Sequence, residues 1–593
     1  MNGWRLLLGL AAVFSIAHRA CAVMPQRGAA APWVSYEAED SITSGTILGP
    51  DYTDHTPARE ASGRRCVRLS STGQYLQFTA RADAQGMVVR YCIPDSPDGQ
   101  GIDATLSLYV NGAPRGTLPM TSRYSYLYGN YPFNNQPSSG TPRHFWDEVR
   151  VLPGTIHRGD VIRLQKDAGD TANQYLIDFV DLETVPAPLE RPVNSVSVTE
   201  LGAIANNAAD ARPAFLAAIA AARTQHRIVW IPPGRFVIKG SIPVSDITID
   251  GAGMWYSTLV GADDYTPGNR VSIEGNGPNV TLADFAICGK LRYRSDSEAN
   301  DGISGSFGTG SSIKSVWVEH TKTGAWLTNS DGLLVENCRF RNTIADGINL
   351  CVGMNNTIVR NCTARGTGDD CFAMWSATYT KSVYQHGSNR FVNCTAELPS
   401  LAQGFAIYGG DGNKVENCLA IDISYGAGAL ASTMFKTEFG FRGTTTFRGI
   451  DMIRAGDADG AIAVMTNLAD LSGVRFEDIN VIDSPTDGIK FNCVKGLAVG
   501  DAIFNRIQIV NAGVSGRGCG VLVAAGATGS ATLSNVSVIN PRSGGYTDHA
   551  SAFNLIRAAG NVGVEATRAT GSEYSDTRLS SKEIFITAGG SHA

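Results

Sequence analysis

The sequence predicts an all-β protein in two parts, a β-sandwich followed by a long parallel β-helix. Composition is the first observation: 66 of 593 residues are Gly and only 18% are charged. Gly weakens a helix by about 1 kcal/mol per residue against Ala. Second, short strand-like runs separated by Gly, Pro and Asn turns fill residues 36–184, the spacing of a sandwich. Third, the pattern hydrophobic-x-Asn-Cys recurs at Val335–Cys338, Val359–Cys362, Phe391–Cys394 and Val415–Cys418, with offsets of 24, 32 and 24 residues. A repeat of about 24 residues made of short strands and turns marks a parallel β-helix, whereas a propeller blade needs about 40.

Residues 1–22 read as a secretory signal peptide. Arg5 precedes an apolar run over 6–16, and Ala20-Cys21-Ala22 offers small residues for cleavage. That run falls short of the roughly 20 residues a membrane span requires, and no later segment is long enough. A secreted, extracellular protein with no membrane partner is therefore expected. Cleavage removes Arg5 and Arg19 but no acid, deepening a formal net charge of −6. A chain without a basic surplus is not expected to bind nucleic acid. The 12 cysteines include Cys21, so cleavage leaves an odd number in an oxidising compartment. Cys66 and Cys92 lie on neighbouring strand-like runs and are candidates to pair.

The sandwich is assigned to residues 36–184. Its strands include Cys66-Val67-Arg68-Leu69, Tyr75-Leu76-Gln77-Phe78 and Leu106-Ser107-Leu108-Tyr109-Val110, and Asn111-Gly112 is a hairpin turn. Residues 185–198 form a linker whose Pro-rich first half is stiff. The β-helix is assigned to residues 199–593. One helix is expected at its start, with Asp210 as cap, Pro213 in its first turn and an Ala-rich run over 214–223. That helix would cover the open edge of the first coil. Each coil stacks on the last at roughly 4.8 Å. Asn at a fixed turn position predicts a ladder of amides, and the Cys after it a file of buried thiols rather than disulfides. The residues after about 540 are small and polar and carry no functional reading.

The chemistry is expected at Asp346, in Ala345-Asp346-Gly347-Ile348, and at Asp369 and Asp370, in Gly366-Thr367-Gly368-Asp369-Asp370-Cys371. The 23 residues from Asp346 to Asp369 are one coil, so the three acids share one patch of adjacent coils. Asp-Gly is a common turn pair, but an adjacent Asp-Asp between glycines and an apolar run serves folding poorly. Three carboxylates in a small area repel, so at least one should hold its proton. Glycoside hydrolysis needs that combination: one acid for the leaving oxygen and one carboxylate for water or carbon. Trp375, Tyr379 and Tyr384 follow closely, with Tyr408 a coil or more later, and aromatic faces suit sugar rings.

With these residues in view, the region from Leu201 to about residue 540 resembles a right-handed parallel β-helix of the pectin-lyase-like kind. The Ala-rich helix, Val229-Trp230-Ile231-Pro232-Pro233-Gly234 and the coils carry that resemblance. The Asp trio, with a sandwich beginning Tyr36-Glu37-Ala38-Glu39, resembles glycoside hydrolase family 87, the α-1,3-glucanases and mycodextranases. The resemblance implies an endo-acting, inverting hydrolase of a neutral α-glucan, working as a monomer and needing no cofactor for catalysis. It makes Asp369 the general acid and gives Asp346 and Asp370 the attacking water; spacing by itself leaves these roles open. Stacking at about 4.8 Å is nearer the retaining separation than the about 6.5–9.5 Å of inverting pairs, so the side chains would have to splay.

The sandwich also resembles carbohydrate-binding modules of families 6 and 35. That resemblance implies a structural calcium at Glu37, Glu39 and Asp178, with Tyr126, Trp146 and Asn173 as weaker candidate sugar contacts. Two rivals share the fold. A polygalacturonan hydrolase would carry Gly-His-Gly and Arg-Ile-Lys motifs that are absent here, Gln385-His386-Gly387 and Gly488-Ile489-Lys490 being partial echoes; a lyase would need a basic residue, no Arg/Lys cluster lies near the trio, and a net negative chain would repel an anionic polymer. A non-catalytic glycan-binding solenoid leaves the double Asp unexplained.

Overall fold

The computed structural model describes residues 27–130, 133–263, 269–494 and 496–565. The signal-peptide segment 1–22 and residues 566–593 lie outside the described residues.

The sandwich pairs two antiparallel sheets. One holds Trp33–Glu37, Thr46–Leu48, Cys66–Leu69, Gly86–Cys92, Asp147–Val151 and Tyr175–Glu183; the other holds Ile42–Thr43, Tyr75–Thr79, Asp103–Val110, Ala113–Thr121 and Val161–Gln165. Leu76, Leu106, Leu108, Ile162, Leu164, Val89, Ile177 and Val180 interdigitate between them. Asn111 and Gly112 turn the hairpin at φ 53° and 77°, the left-handed values of a type I′ turn.

Burial separates the two sheets. Asp103–Val110 alternates between core and solvent, as a sheet with one wet face does. Gly86–Cys92 and Tyr175–Glu183 are buried along their whole length, because their outer face packs on the β-helix. Val88 joins Ala286 and Trp317 of the solenoid in one cluster. Charged groups cross the same seam. Arg339 binds Glu183 through two 2.7 Å hydrogen bonds, Arg365 reaches Glu148 at 2.6 Å and Asp181 at 2.9 Å, and His320 meets Asp147 at 2.7 Å. Cys66 and Cys92 share a small apolar cluster but are free buried thiols, so the anticipated pairing is not made.

Ser195–Ser197, inside the segment assigned as linker, is already the first solenoid strand and pairs with Ile228–Ile231. Among the described residues the one α-helix, α1 (Arg212–Gln225), buries Ala214, Phe215, Ala218, Ile219 and Ala222 against the first coil. Asp210 accepts from the Arg212 N–H at 2.9 Å and the Lys239 N–H at 3.0 Å, tying the helix start to the end of the strand Gly234–Ile238. Among the described residues one parallel sheet then runs through 20 strands and a second through 12. The repeat lies in register: Val335, Val359, Phe391, Val415 and Phe447 pair in sequence along the axis. Phe447, Phe476 and Phe504 stack at 4.8 Å centroid spacing, the distance between strands. Asn337, Asn361, Asn393 and Asn417 adopt φ between 51° and 56°, and the Asn361 amide donates to Asn337 at 2.6 Å. Cys338, Cys362, Cys394 and Cys418 are buried free thiols.

Candidate active site

Each coil enters the 12-stranded sheet through a tight turn, and backbone bonds register these turns. Gly324 N donates to Asp346 O, Gly347 N to Asp370 O and Cys371 N to Gln403 O, all at 2.9–3.0 Å. Asp346 therefore stacks on Asp370, consistent with Ile348 pairing Phe372. The sequence offset had matched Asp346 with Asp369; the coil is one residue longer, and Asp369 sits one position before its stacked neighbour. Asp301 and Asp487 occupy the same row, but Thr323 and Cys519 of the next coils bind their carboxylates, so they serve as turn residues.

The three carboxylates converge, with an oxygen of each lying within 4.8 Å of one of each other. They have not splayed. Asp346 and Asp370 are 7% and 4% exposed, while the Asp369 side chain keeps 19% exposure. Asp370 accepts from Tyr408 Oη at 2.8 Å and from the Gln403 N–H at 2.9 Å. Asp346 accepts from Asn349 Nδ2 at 2.7 Å. Burial, followed by the charges of Asp369 and Asp370, pushes the Asp346 carboxyl well above the usual carboxylate range. Desolvation and like charge both disfavour the anion, so a proton is retained there. Burial and Asp370 raise the Tyr408 phenol, keeping it a donor. Among the described residues the trio is the set of three acidic, His or Cys side chains that brings ligand atoms this close.

A cation does stand at the trio. Arg294 Nη2 donates to Asp369 Oδ2 at 2.7 Å and Arg294 Nε to Asp296 Oδ1 at 3.0 Å. It arrives from the segment 289–302, three coils before Asp369, so proximity along the chain gave no sign of it. The sandwich braces this segment: Asn135 donates to the Arg292 carbonyl, and Leu127 and Phe133 pack with Leu291, Tyr293 and Ile344.

Beside the acids stands an aromatic wall. Trp375 is half-buried, lies 6.2 Å from Trp326 and 5.3 Å from Phe435, and Phe435 packs edge-on to Tyr408 at 4.8 Å. Trp326 Nε1 donates to Tyr379 Oη at 2.7 Å. The 32-residue coil carries its extra length just after Trp375, and that excursion brings Tyr379 back against Trp326. Trp326 and Phe435 escaped the sequence reading because they come from other coils. A cavity of about 170 Å³ opens between Tyr408, Thr433, Phe435 and Phe441. His386, of the partial Gly-His-Gly echo, is buried and binds the Cys351 carbonyl at 2.8 Å.

The expected calcium residues gather without forming an oxygen cage. Arg90 donates to Asp178, which also accepts from the Ser62 N–H at 3.0 Å, while Ser62 Oγ donates to Glu37 at 2.6 Å. The guanidinium takes the place a hard cation would need, so this set does not fit calcium. Burial and Asp178 push Glu37 up to about 9. Trp146 is a core residue, donating to the Pro57 carbonyl at 2.9 Å, and Tyr126 donates to the Ile93 carbonyl at 2.7 Å. Asn173 is exposed.

Two family models match the chain, described as alpha-1,3-glucanase catalytic domain D1 over residues 30–185 and D2 over residues 214–462. Among solved structures, the Agl-KA catalytic domain is 31% identical with a TM-score of 0.83, covering 91% of this chain and 100% of its own. The catalytic unit of the thermostable GH87 alpha-1,3-glucanase from Streptomyces thermodiastaticus strain HF3-3 is 34% identical with a TM-score of 0.81, covering 92% and 99%. A GH87 alpha-1,3-glucanase catalytic domain in complex with nigerose is 26% identical with a TM-score of 0.80, covering 90% and 100%. Three further structures of that description carry single aspartate-to-alanine changes, one 23 residues before an adjacent pair. No curated protein sequence matches the chain.

Proposed function

The chain belongs to the α-1,3-glucanase catalytic-domain family, glycoside hydrolase family 87, and hydrolyses α-1,3-glucan; we propose that it does so with inversion at Asp346, Asp369 and Asp370. The observation that carries the site is the convergence of these three carboxylates beside an aromatic wall. The aspartates changed in the related structures, two of them solved with tetrasaccharides, have the spacing of this trio, which supports the same assignment.

Asp369 is the outermost acid and reaches the glycosidic oxygen as proton donor. Asp346 and Asp370, stacked on successive coils, hold the attacking water. Oxygens up to 4.8 Å apart suit one water donating to both, with hydrogen bonds of about 2.7–2.8 Å each. The trio is tighter than the about 6.5–9.5 Å of a two-carboxylate inverting site; sharing the water between two of three acids removes the need for that gap. The proton retained by Asp346 belongs to the coupled trio as a unit. That shared proton is the one Asp369 delivers to the leaving oxygen, while Arg294 holds its carboxyl in place. Trp375 and Tyr379, joined by Trp326 and Phe435, stack on sugar rings, while the buried Tyr408 acts through its hydrogen bond to Asp370. A neutral α-glucan suits a chain of formal charge −6, and we infer that the protein is exported through residues 1–22 and acts as a monomer.

The anomeric form of the first product tests the reading. Proton NMR during cleavage of a soluble α-1,3-linked oligosaccharide should show the β-anomer first. Initial α-anomer would mean retention and a nucleophilic carboxylate.

A further inference from the structure

Three successive turns into the 12-stranded sheet share one closure. Thr321, Thr343 and Thr367 each donate the side-chain hydroxyl to the carbonyl two residues on, at Thr323 (2.7 Å), Ala345 (2.8 Å) and Asp369 (2.8 Å). Ser400 holds the same place one coil later and departs from the pattern. Its N–H donates to the Thr367 carbonyl at 2.7 Å, and its hydroxyl donates to that carbonyl at 3.2 Å.

Two sandwich side chains account for the departure. Arg143 donates to the Ser400 carbonyl, and His144 Nδ1 lies 3.1 Å from the Ser400 hydroxyl. A hydroxyl has one proton, and this one points to Thr367, so His144 Nδ1 carries the hydrogen. The remaining ring nitrogen, Nε2, is buried without a partner, as a bare acceptor would be in neutral imidazole. Burial and the charges of Arg90 and Arg143 push His144 down to about 3, so the ring is neutral at neutral pH. On its other side the catalytic turn is pressed against the preceding coil. A Cβ at Gly368 would meet the Ile344 carbonyl oxygen at 2.0 Å, and Gly368 N donates to the Thr343 carbonyl at 2.8 Å.

We propose that His144, Ser400 and Thr367 form a positioning relay through which the N-terminal sandwich sets the Asp369–Asp370 turn for the reaction. The inference rests on the reading of the Asp trio as the reaction centre. The peptide between Asp369 and Asp370 decides where both carboxylates point. Thr367 holds its carbonyl, Ser400 holds Thr367, and the sandwich holds Ser400. A misplacement of about 1 Å can cost about 10²-fold in rate, so the relay acts on turnover more than on binding.

The experiment uses the full chain and a soluble α-1,3-linked oligosaccharide. Ser400→Ala and Thr367→Val should lower kcat about 10- to 100-fold with KM within about twofold. Their melting temperatures should stay close to the wild type. Ser400→Thr and Thr367→Ser keep the hydroxyl and should retain most of the activity, which separates positioning from lost packing. The His144→Leu/Ser400→Ala double variant should fall no further than the worse single, as members of one network do. Wild-type kcat in folded Ser400→Ala and Thr367→Val would overturn the relay, as would fully additive losses or a rise in KM at constant kcat. Asp369→Asn, run in parallel, keeps the two readings apart. Full turnover in that variant sinks the trio itself; an inactive Asp369→Asn beside fully active relay variants sinks only the relay.

Discussion

Arg294 donates a 2.7 Å hydrogen bond to Asp369 although 75 residues separate them in the chain. A fully covered guanidinium thus stands on the outermost of three acids. It supplies positive charge where three carboxylates meet, and its influence also lowers the Asp346 carboxyl against the burial that raises it. The lyase reading has no Arg/Lys cluster near the trio in sequence to supply its basic partner. Folding brings one there, as a partner of Asp369.

Removing that cation should slow turnover. Arg294→Ala is expected to lower kcat by about 10²-fold, since charge-assisted bonds hold a carboxylate in place more strongly than neutral ones. Arg294→Lys should recover only part, because an ammonium is a point charge without the planar fork. The pH–rate profile of Arg294→Ala should also move to higher pH, because Arg294 lowers the Asp346 carboxyl and a nearby cation favours the ionised form. An unchanged profile would show that Arg294 has no electrostatic hold on the trio.

Asp346 trades stability for chemistry. Its folded carboxyl binds its proton more tightly than in the unfolded chain. Stability is therefore lost as pH rises from the unfolded-chain pKa through the raised folded value. Asp346→Asn should melt higher than the wild type at neutral pH, with the gap closing toward about pH 4, where both states protonate. The same change should lower kcat by about 10²–10⁴-fold. Thermal melts across pH check the first part and reducing-sugar release the second; a variant less stable at neutral pH contradicts the argument.

The aromatic wall should act on binding. Trp326→Ala and Trp375→Ala are each expected to raise KM for soluble α-1,3-linked oligosaccharides by about 2- to 10-fold, the worth of one aromatic contact. Turnover should change less than KM. If Trp326→Ala binds normally while Trp375→Ala does not, Trp326 only packs behind its neighbour.

The seam between sandwich and solenoid should be costly to break. Glu183 and Arg339 form a bidentate pair with side chains 5% and 9% exposed. Glu183→Ala leaves an uncompensated buried guanidinium, at a cost of about 3–5 kcal/mol. Chemical denaturation should show sandwich and solenoid unfolding in one transition. Separate transitions would make the sandwich an independent module.

Much of this protein was legible before folding. The 24-residue spacing specified the coil, because strand stacking forces every turn to repeat its φ, and Asn and Gly were chosen where φ is positive. Asp346 and the Asp369-Asp370 pair stood out since an adjacent acid pair has little use in a turn. The surroundings of Glu37, Glu39 and Asp178 were not legible: the Arg90 guanidinium donates to Asp178, and no local pattern announces which cation neutralises a buried acid.

The sequence by itself determined the local periodicity: which residues turn, which face the core, and that three aspartates fall on adjacent coils. Such features depend on neighbours at fixed separations along one chain. The tertiary structure decided which aspartate stacks on which, that Arg294 and Trp326 join the site, and that the sandwich's outer face is buried against the coils. Those contacts join residues dozens to hundreds of positions apart, whose pairing is set only when two surfaces of complementary charge and shape close on each other.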